Sequence, residues 1–240
     1  MEKVLLHTPE GVRDVYGKEC AVKLTIENSI NKVFNIYGYH NIQTPTFEFF
    51  DIFSKERGSV ASKNLYKFFD REGNTLVLRP DVTPSIARLV AKYYMDVKVP
   101  VKLCYNANTY INNSELQGKL KENTQLGCEL INDDSVEADA EILALVVDSL
   151  KAAGLKEFLV EIGHADFYKG LLEECGFDTE NEQELRKRIE NKNYFGVEEI
   201  LDNNNITGQL KEAFLKLPEL FGSIDVIKSA KELTDNKKAL

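Results

Sequence analysis

Thr124-Gln125-Leu126-Gly127-Cys128-Glu129-Leu130 is the stretch on which the fold turns. It reads as a β-strand, and the side chains of a strand alternate between its two faces. Leu126, Cys128 and Leu130 share one face and look like core. Gln125, Gly127 and Glu129 share the other, where the glycine leaves a gap between an amide and a carboxylate. An amide both donates and accepts hydrogen bonds, while an ionised carboxylate only accepts. The pair suits a small zwitterion or a heterocycle carrying N–H groups. A solvent-facing sheet surface with ordinary polar residues accounts for the same pattern, and on the pattern alone it is the stronger explanation.

Working outward, residues 18–37 read as a long amphipathic helix. Val22, Ile26, Ile30, Val33 and Tyr37 recur at helical steps and Gly38 ends it. Residues 66–70 and 75–79 read as two strands, with hairpin chemistry in Arg71-Glu72-Gly73-Asn74. Thr83 is the expected N-cap of a second helix, with Pro84 in its first turn. A short strand over 101–105, a polar loop over 106–122 and the strand 124–131 follow. A third helix is expected from Asp134, with Glu137 as its capping-box partner, to Gly154. Residues 158–162 read as one more strand. From 166 onward the pattern is helical, with loop signals at Asp178, Asn203-Asn204-Asn205 and Pro218. The expected domains are therefore a mixed core over 1–165 and a helical segment over 166–240. Strands joined by short turns favour an antiparallel sheet, hence an α+β fold with helices flanking it. No strand follows to complete that sheet, so the chain reads as a piece of a longer protein.

Composition narrows the function classes. Of 240 residues, 43% are hydrophobic and 29% charged, the balance of a globular chain. The 39 acidic and 30 basic residues leave a net charge of −9, which argues against a nucleic-acid binder. No apolar run approaches the roughly 20 residues of a membrane span. The apolar stretch at the start is too short for a signal peptide, so a cytoplasmic location is expected. Cys20, Cys104, Cys128 and Cys175 form no CxxC pair and read as small buried hydrophobes. His7, His40 and His164 lack metal-ligand spacing. There is no GxSxG, P-loop or GxGxxG, so neither a metal nor a cofactor is expected.

Two further segments carry polar groups in suggestive places. In Leu78-Arg79-Pro80-Asp81-Val82-Thr83-Pro84, Asp81 and Thr83 stand at a strand-to-helix junction. They would suit an ammonium group, or serve only as helix-start residues. In Thr8-Pro9-Glu10-Gly11-Val12-Arg13-Asp14, Pro-x-Gly marks a turn, and Arg13 with Asp14 would make a surface pair of little energetic worth.

Taken in order, these segments resemble the catalytic core of the class II histidyl-tRNA synthetases and their paralogues. The resemblance runs from the PEGVRD stretch to about His164. Tyr37-Gly38-Tyr39 and Ile42-Gln43-Thr44-Pro45-Thr46-Phe47-Glu48 are similar to the family's first motif, which implies a dimer interface around Pro45. Leu78 to Thr83 is similar to its LRPE-x-T element, and Gln125 to Glu129 to its Q-x-G-x-E. The resemblance implies that Asp81, Thr83 and Gln125 surround the backbone of a bound histidine and that Glu129 faces its imidazole. The departures are equally informative. The family's R-x-E, whose arginine clamps the ATP α-phosphate, falls on Ile111 and Asn113. No arginine occurs anywhere in Asn108-Thr109-Tyr110-Ile111-Asn112-Asn113-Ser114. An isoleucine cannot stabilise phosphate charge in the way that catalysis requires. Later family arginines appear as Lys119 and Lys121, which keep the charge but lose the fork geometry. Asp81 stands in place of the usual glutamate, and the family's third motif and second histidine motif do not occur.

A histidine pocket without an ATP clamp resembles one paralogous group, the regulatory subunits of ATP phosphoribosyltransferase. That resemblance implies a non-catalytic homodimer docked on a short-form catalytic subunit. The complex would join ATP to phosphoribosyl pyrophosphate, the first step of histidine biosynthesis, with histidine as feedback effector. It implies no membrane and no tRNA partner. Two alternatives stay open: a fragment of a divergent histidyl-tRNA synthetase, and a scaffold subunit with a vestigial pocket.

Overall fold

The computed structural model describes residues 6–54, 60–113 and 118–239. The first five residues, Ser114 of the clamp stretch and Leu240 lie outside the described residues. The chain divides into two units, Met1–Leu159 and Val160–Leu240.

The first unit is built on one long antiparallel pair. Strand β5 (Val101–Tyr110) runs beside β6 (Glu122–Ile131), from Val101 opposite Ile131 to Tyr110 opposite Glu122. A two-residue strand, β1 (His40–Asn41), joins the other edge of β5 in parallel, so this sheet is not purely antiparallel as expected. A second sheet has the order β2-β4-β3, from β2 (Phe47–Phe49), β3 (Lys67–Phe69) and β4 (Thr75–Leu78), and is antiparallel throughout. Helix α1 (Gly17–Ile36) precedes the strands, and α2 (Asp51–Ser54), α3 (Thr83–Tyr93) and α4 (Val136–Ala152) are set among and after them. The α+β expectation holds.

Strand β5 is twice as long as its apolar pattern suggests. The polar residues of the expected loop stay in the ladder because their side chains find partners in the fold. The Asn106 amide donates to Glu27 at 2.9 Å, and the Asn108 amide donates to Glu122 at 2.7 Å. The Thr124 hydroxyl donates back to Asn108 at 3.0 Å. Polarity ends a strand only when such groups need water instead.

Each face of this sheet carries its own core. On one, Phe34, Tyr39, Cys104 and Leu145 pack with Leu126, Cys128 and Leu130, the apolar side of the β6 alternation. On the other, Val82 and Ile86 at the start of α3 pack on Val101, Leu103 and Tyr105. The buried stripe of α1 is rotated from the expected one and passes through Glu27 and Phe34, while Val22 and Ile26 face solvent. Glu27 can point inward because Lys23 pairs with it at 2.6 Å and Asn106 donates to it. Helix α4 is capped by Ser135, whose hydroxyl accepts from the Ala138 amide, rather than by Asp134 with Glu137. Asp133 fixes that cap by accepting from both the amide and the hydroxyl of Ser135. Tyr37 donates to Asp148 at 2.6 Å and Tyr39 to Glu141 at 3.0 Å, tying α4 to the segment that ends α1.

The strand expected over 158–162 does not form. Among the described residues it has no neighbour to pair with, and Leu159 and Ile162 are 82% and 73% exposed. A lone extended segment leaves its amides and carbonyls to water and makes no ladder. The second unit is helical, as its pattern implies: α5 (Ala165–Cys175), α6 (Thr179–Glu190), α7 (Tyr194–Asn203), α8 (Gly208–Lys216) and α9 (Val226–Glu232). Leu171, Leu185, Val197, Leu201 and Phe214 are fully buried in its core. The loop signal at Asp178 is an N-cap, its carboxylate accepting from Asn181 at 2.8 Å.

Ile86 is fully buried between α3 and the sheet. Ile86→Ala is expected to cost about 2–5 kcal/mol in equilibrium urea unfolding, and Val22→Ala under about 0.5 kcal/mol. Equal effects would contradict the packing described.

Candidate functional site

The side chains of β6 that point away from α1 and α4 meet the start of α3. Gln125, Gly127 and Glu129 alternate on this face, opposite Ala107, Tyr105 and Leu103 of β5. Thr83 is the first residue of α3, but it does not cap the helix. Its hydroxyl instead donates to Glu129 Oε1 at 2.7 Å. This joins two segments 46 residues apart in sequence. Asp81 accepts the Val82 amide through Oδ1 at 2.7 Å, which turns the chain into the helix. The fold therefore brings Asp81, Thr83 and Glu129 together, with Gln125 on the same face two pleats along.

The gap expected at Gly127 is filled. Tyr105, directly opposite, lays its ring across the glycine, and a methyl group there would collide with the ring and its hydroxyl. Tyr105 is 3% exposed, and its phenol lies beside Thr83, Glu129 and Asp81. Sequence reasoning missed this residue. The signal was a glycine inside a strand, which often marks close approach of an aromatic from the neighbouring strand. Reading it requires the β5–β6 register.

Electrostatically the site is a carboxylate pair with hydroxyl partners. Burial pushes the Glu129 carboxyl above its ordinary range, the Thr83 hydrogen bond works against that, and the Asp81 charge adds to it. Burial also pushes the Tyr105 phenol up to about 12, helped by the charges of Glu129 and Asp81. Tyr105 therefore stays protonated at neutral pH. No salt bridge neutralises Asp81 or Glu129 among the described residues. Such a face favours a ligand that brings positive charge and N–H donors. No group of three or more His, Cys, Asp or Glu able to hold a metal ion occurs among the described residues.

The clamp positions tell the opposite story. Ile111 and Asn113 follow the end of β5, and their backbone is already committed. The Ile111 amide donates to Lys121, the Asn112 amide to Asn64, and the Asn113 amide back to Ile111. The Lys121 amide donates to Gly11, which seats the PEGVRD turn against this loop. Arg13 pairs with Glu19 rather than with Asp14, in full view of solvent. Arg79 reaches Asn108, but its guanidinium is spent on carbonyls: Asn108 at 2.8 Å, Thr44 at 2.9 Å and Pro45 at 3.2 Å. Pro45 is thus held from behind by Arg79. Beside it, Phe47 and Phe49 are 52% and 55% exposed on one face of the small sheet. Glu48 points the other way, buried, and pairs with Arg88 at 2.6 Å.

Because folding raises the Glu129 pKa, the folded protein holds a proton where the unfolded chain has released it. The resulting loss of stability is absent well below the usual glutamate value of about 4.3 and complete above the folded-state pKa. Glu129→Gln keeps an acceptor for Thr83 and removes that loss. The melting temperature of the variant, relative to the parent, is expected to rise as the pH climbs from the usual glutamate value through the raised folded-state one. A flat or falling difference would contradict the burial of an ionised Glu129.

Comparison with known proteins gives these residues a context. Proteins named ATP phosphoribosyltransferase regulatory subunit match along the chain. That of Ruminiclostridium cellulolyticum is 45% identical over 240 residues, covering 100% of this chain and 57% of the relative. That of Acetivibrio thermocellus is 41% identical over 98% of this chain and 56% of the relative. The chain thus spans little more than half the length of these relatives. A crystal structure from Bacillus halodurans, described as an ATP phosphoribosyltransferase regulatory subunit/histidyl-tRNA synthetase, superposes with a TM-score of 0.87 at 36% identity. It covers 98% of this chain and 61% of that one. The family profile described as Histidyl-tRNA synthetase matches residues 11–240, and the chain belongs to that family.

Proposed function

We propose that this chain is the synthetase-like portion of a non-catalytic regulatory subunit of ATP phosphoribosyltransferase, and that its α3–β6 face binds histidine as feedback effector. The observation that carries the reading is the contrast between two ends of one sheet. Thr83, Asp81 and Glu129 are gathered on an acidic face, while Ile111 and Asn113 offer no cation where a synthetase needs one. The names of the relatives at 41% and 45% identity support the same reading. A bound histidine would place its ammonium group between Asp81 and Thr83, its carboxylate toward the Gln125 amide, and an imidazole N–H on the free oxygen of Glu129. Tight binding without ATP activation is what a sensor requires. Feedback then needs only that histidine prefer one state of the complex with the catalytic subunit.

The reading includes a homodimer formed through the Pro45 region. Phe47, Phe49 and Phe68 lie on one face of the small sheet, with Phe47 and Phe68 in edge-to-face contact at 5.9 Å. An exposed aromatic cluster beside a rigidly tied proline is suited to a self-complementary contact.

The experiment uses the whole polypeptide that contains this chain, mixed with its short-form catalytic partner. Phosphoribosyl transfer to ATP is expected to require both proteins and to be inhibited by L-histidine. Glu129→Ala is expected to weaken that inhibition at least tenfold while leaving uninhibited activity intact. Unchanged inhibition would mark the pocket as vestigial. Histidine-dependent ATP–pyrophosphate exchange by the polypeptide alone would instead establish a synthetase.

A further inference from the structure

Strands β5 and β6 set two cysteines directly across from each other, Cys104 opposite Cys128. Opposed residues in an antiparallel pair come in two kinds, and the backbone bonds of this sheet show which kind this is. The Ile111 amide donates to the Lys121 carbonyl at 2.9 Å, one pairing past the end of the ladder and in its register. Odd-numbered residues of β5 therefore exchange backbone bonds with β6. Even-numbered ones turn their backbone the other way: the Cys104 carbonyl accepts from Ile42, next to β1, and the Tyr110 amide donates to Arg79. Cys104 and Cys128 are thus a non-hydrogen-bonded pair. Such pairs hold their α-carbons about 4.5 Å apart, with the side chains at their closest. That separation lies inside the range of about 4.4–6.8 Å that a disulfide spans without moving the backbone.

Both side chains lie on the face of the sheet that packs with Phe34, Tyr39 and Leu145. Neither is in a disulfide. Cys104 is fully buried and Cys128 partly so. The Cys104 thiol donates to Asn41 Oδ1 at 3.6 Å, a weak bond that a χ1 rotation toward β6 would release. Burial holds both thiols above the ordinary cysteine range, and the charge of Cys104 adds to the rise at Cys128.

We propose that Cys104 and Cys128 are a modification site: a cross-strand dithiol that a low-molecular-weight disulfide converts to an intramolecular disulfide, bolting β5 to β6 in register. Cys128 is the point of entry, because Cys104 has no exposed surface. Its sulfur gives up a proton and attacks one sulfur of the reagent, forming a mixed disulfide and releasing one thiol. Cys104 then gives up its proton, attacks Cys128 Sγ and releases the second thiol. Two protein thiols are oxidised, and one reagent disulfide is reduced to two thiols. The first step is slow, because a protonated, buried thiol is a poor nucleophile. The second joins sulfurs whose strands already oppose them, so the mixed disulfide does not build up. The bolt lies beneath the candidate site, since Cys128 stands between Gly127 and Glu129. It does not depend on what that site binds.

For the test, the whole polypeptide that contains this chain is kept folded with excess glutathione disulfide, quenched by alkylation and digested. Mass spectrometry is expected to find a peptide pair joined through Cys104 and Cys128, which dithiothreitol separates. In Cys104→Ser, Cys128 is expected instead to keep glutathione as a stable adduct. The oxidised parent is expected to unfold at a higher urea concentration than the reduced one, because the cross-link restricts the unfolded chain. Both thiols remaining free in the parent would overturn the proposal, as would a persistent glutathione adduct on its Cys128 or linkage to Cys20 or Cys175. An unmodified Cys128 in Cys104→Ser would refute it as the entry point. An unchanged or lowered urea midpoint would refute the bolt. Should Cys104→Ser fold poorly, Cys104→Ala keeps the position small and apolar, and the peptide map of the parent decides by itself.

Discussion

Everything on the candidate site depends on the register between β5 and β6. A slip of one residue in an antiparallel pair turns every side chain to the opposite face. Here such a slip would send Gln125, Gly127 and Glu129 into the core beneath α1 and α4, and Leu126, Cys128 and Leu130 to the surface. The register is fixed from both faces at once. Apolar residues of β6 are gripped by Phe34, Tyr39 and Leu145. On the other side Tyr105 fits only over a residue without a side chain, and Gly127 is the one opposite it. Cross-strand hydrogen bonds from Asn108 and Thr124 hold the far end. Burial sets which face is which, and the tyrosine–glycine fit sets the position along the strand.

The two strands then differ in character along their length. Near the middle, polar groups from distant segments converge and share protons. Past Tyr110 the chain leaves the sheet through amides that are all used internally. A phosphate-binding loop needs free amides and a fixed positive fork. Among its described residues this loop has no arginine fork, and the amides of Ile111, Asn112 and Asn113 are used internally. A carboxylate pair without a cation, by contrast, is an unfavourable arrangement for a folded protein to maintain.

The sequence made the strand alternation, the α+β class and the later helices legible because each rests on local periodicity. The apolar side of β6 needed only the period of two. Asp81, Thr83, Gln125 and Glu129 were found as candidates through the order of motifs. What stayed hidden were features defined by partners distant in sequence. The polar half of β5 was taken for loop because Glu27 and Glu122, which satisfy it, lie elsewhere in the chain. Thr83 looked like a helix cap because its true acceptor is 46 residues away. The strand expected at 158–162 has suitable residues but nothing to pair with. Tyr105 escaped notice because a single strand gives no information about what stands across from it.

Arg79 has a further consequence. Arg79 is 5% exposed, and among the described residues its guanidinium is bonded only to oxygens that carry no formal charge. Burial lowers its pKa, yet a guanidinium starts above about 12 and stays charged in any habitable medium. The knot it ties between the Pro45 segment and the end of β5 is therefore blind to acidity. Glu129, on a strand of the other sheet, is responsive to it. The molecule thus separates scaffold from titratable face by choice of ionisable group: acidification alters the charge beside Thr83 without loosening the frame on which that face is hung.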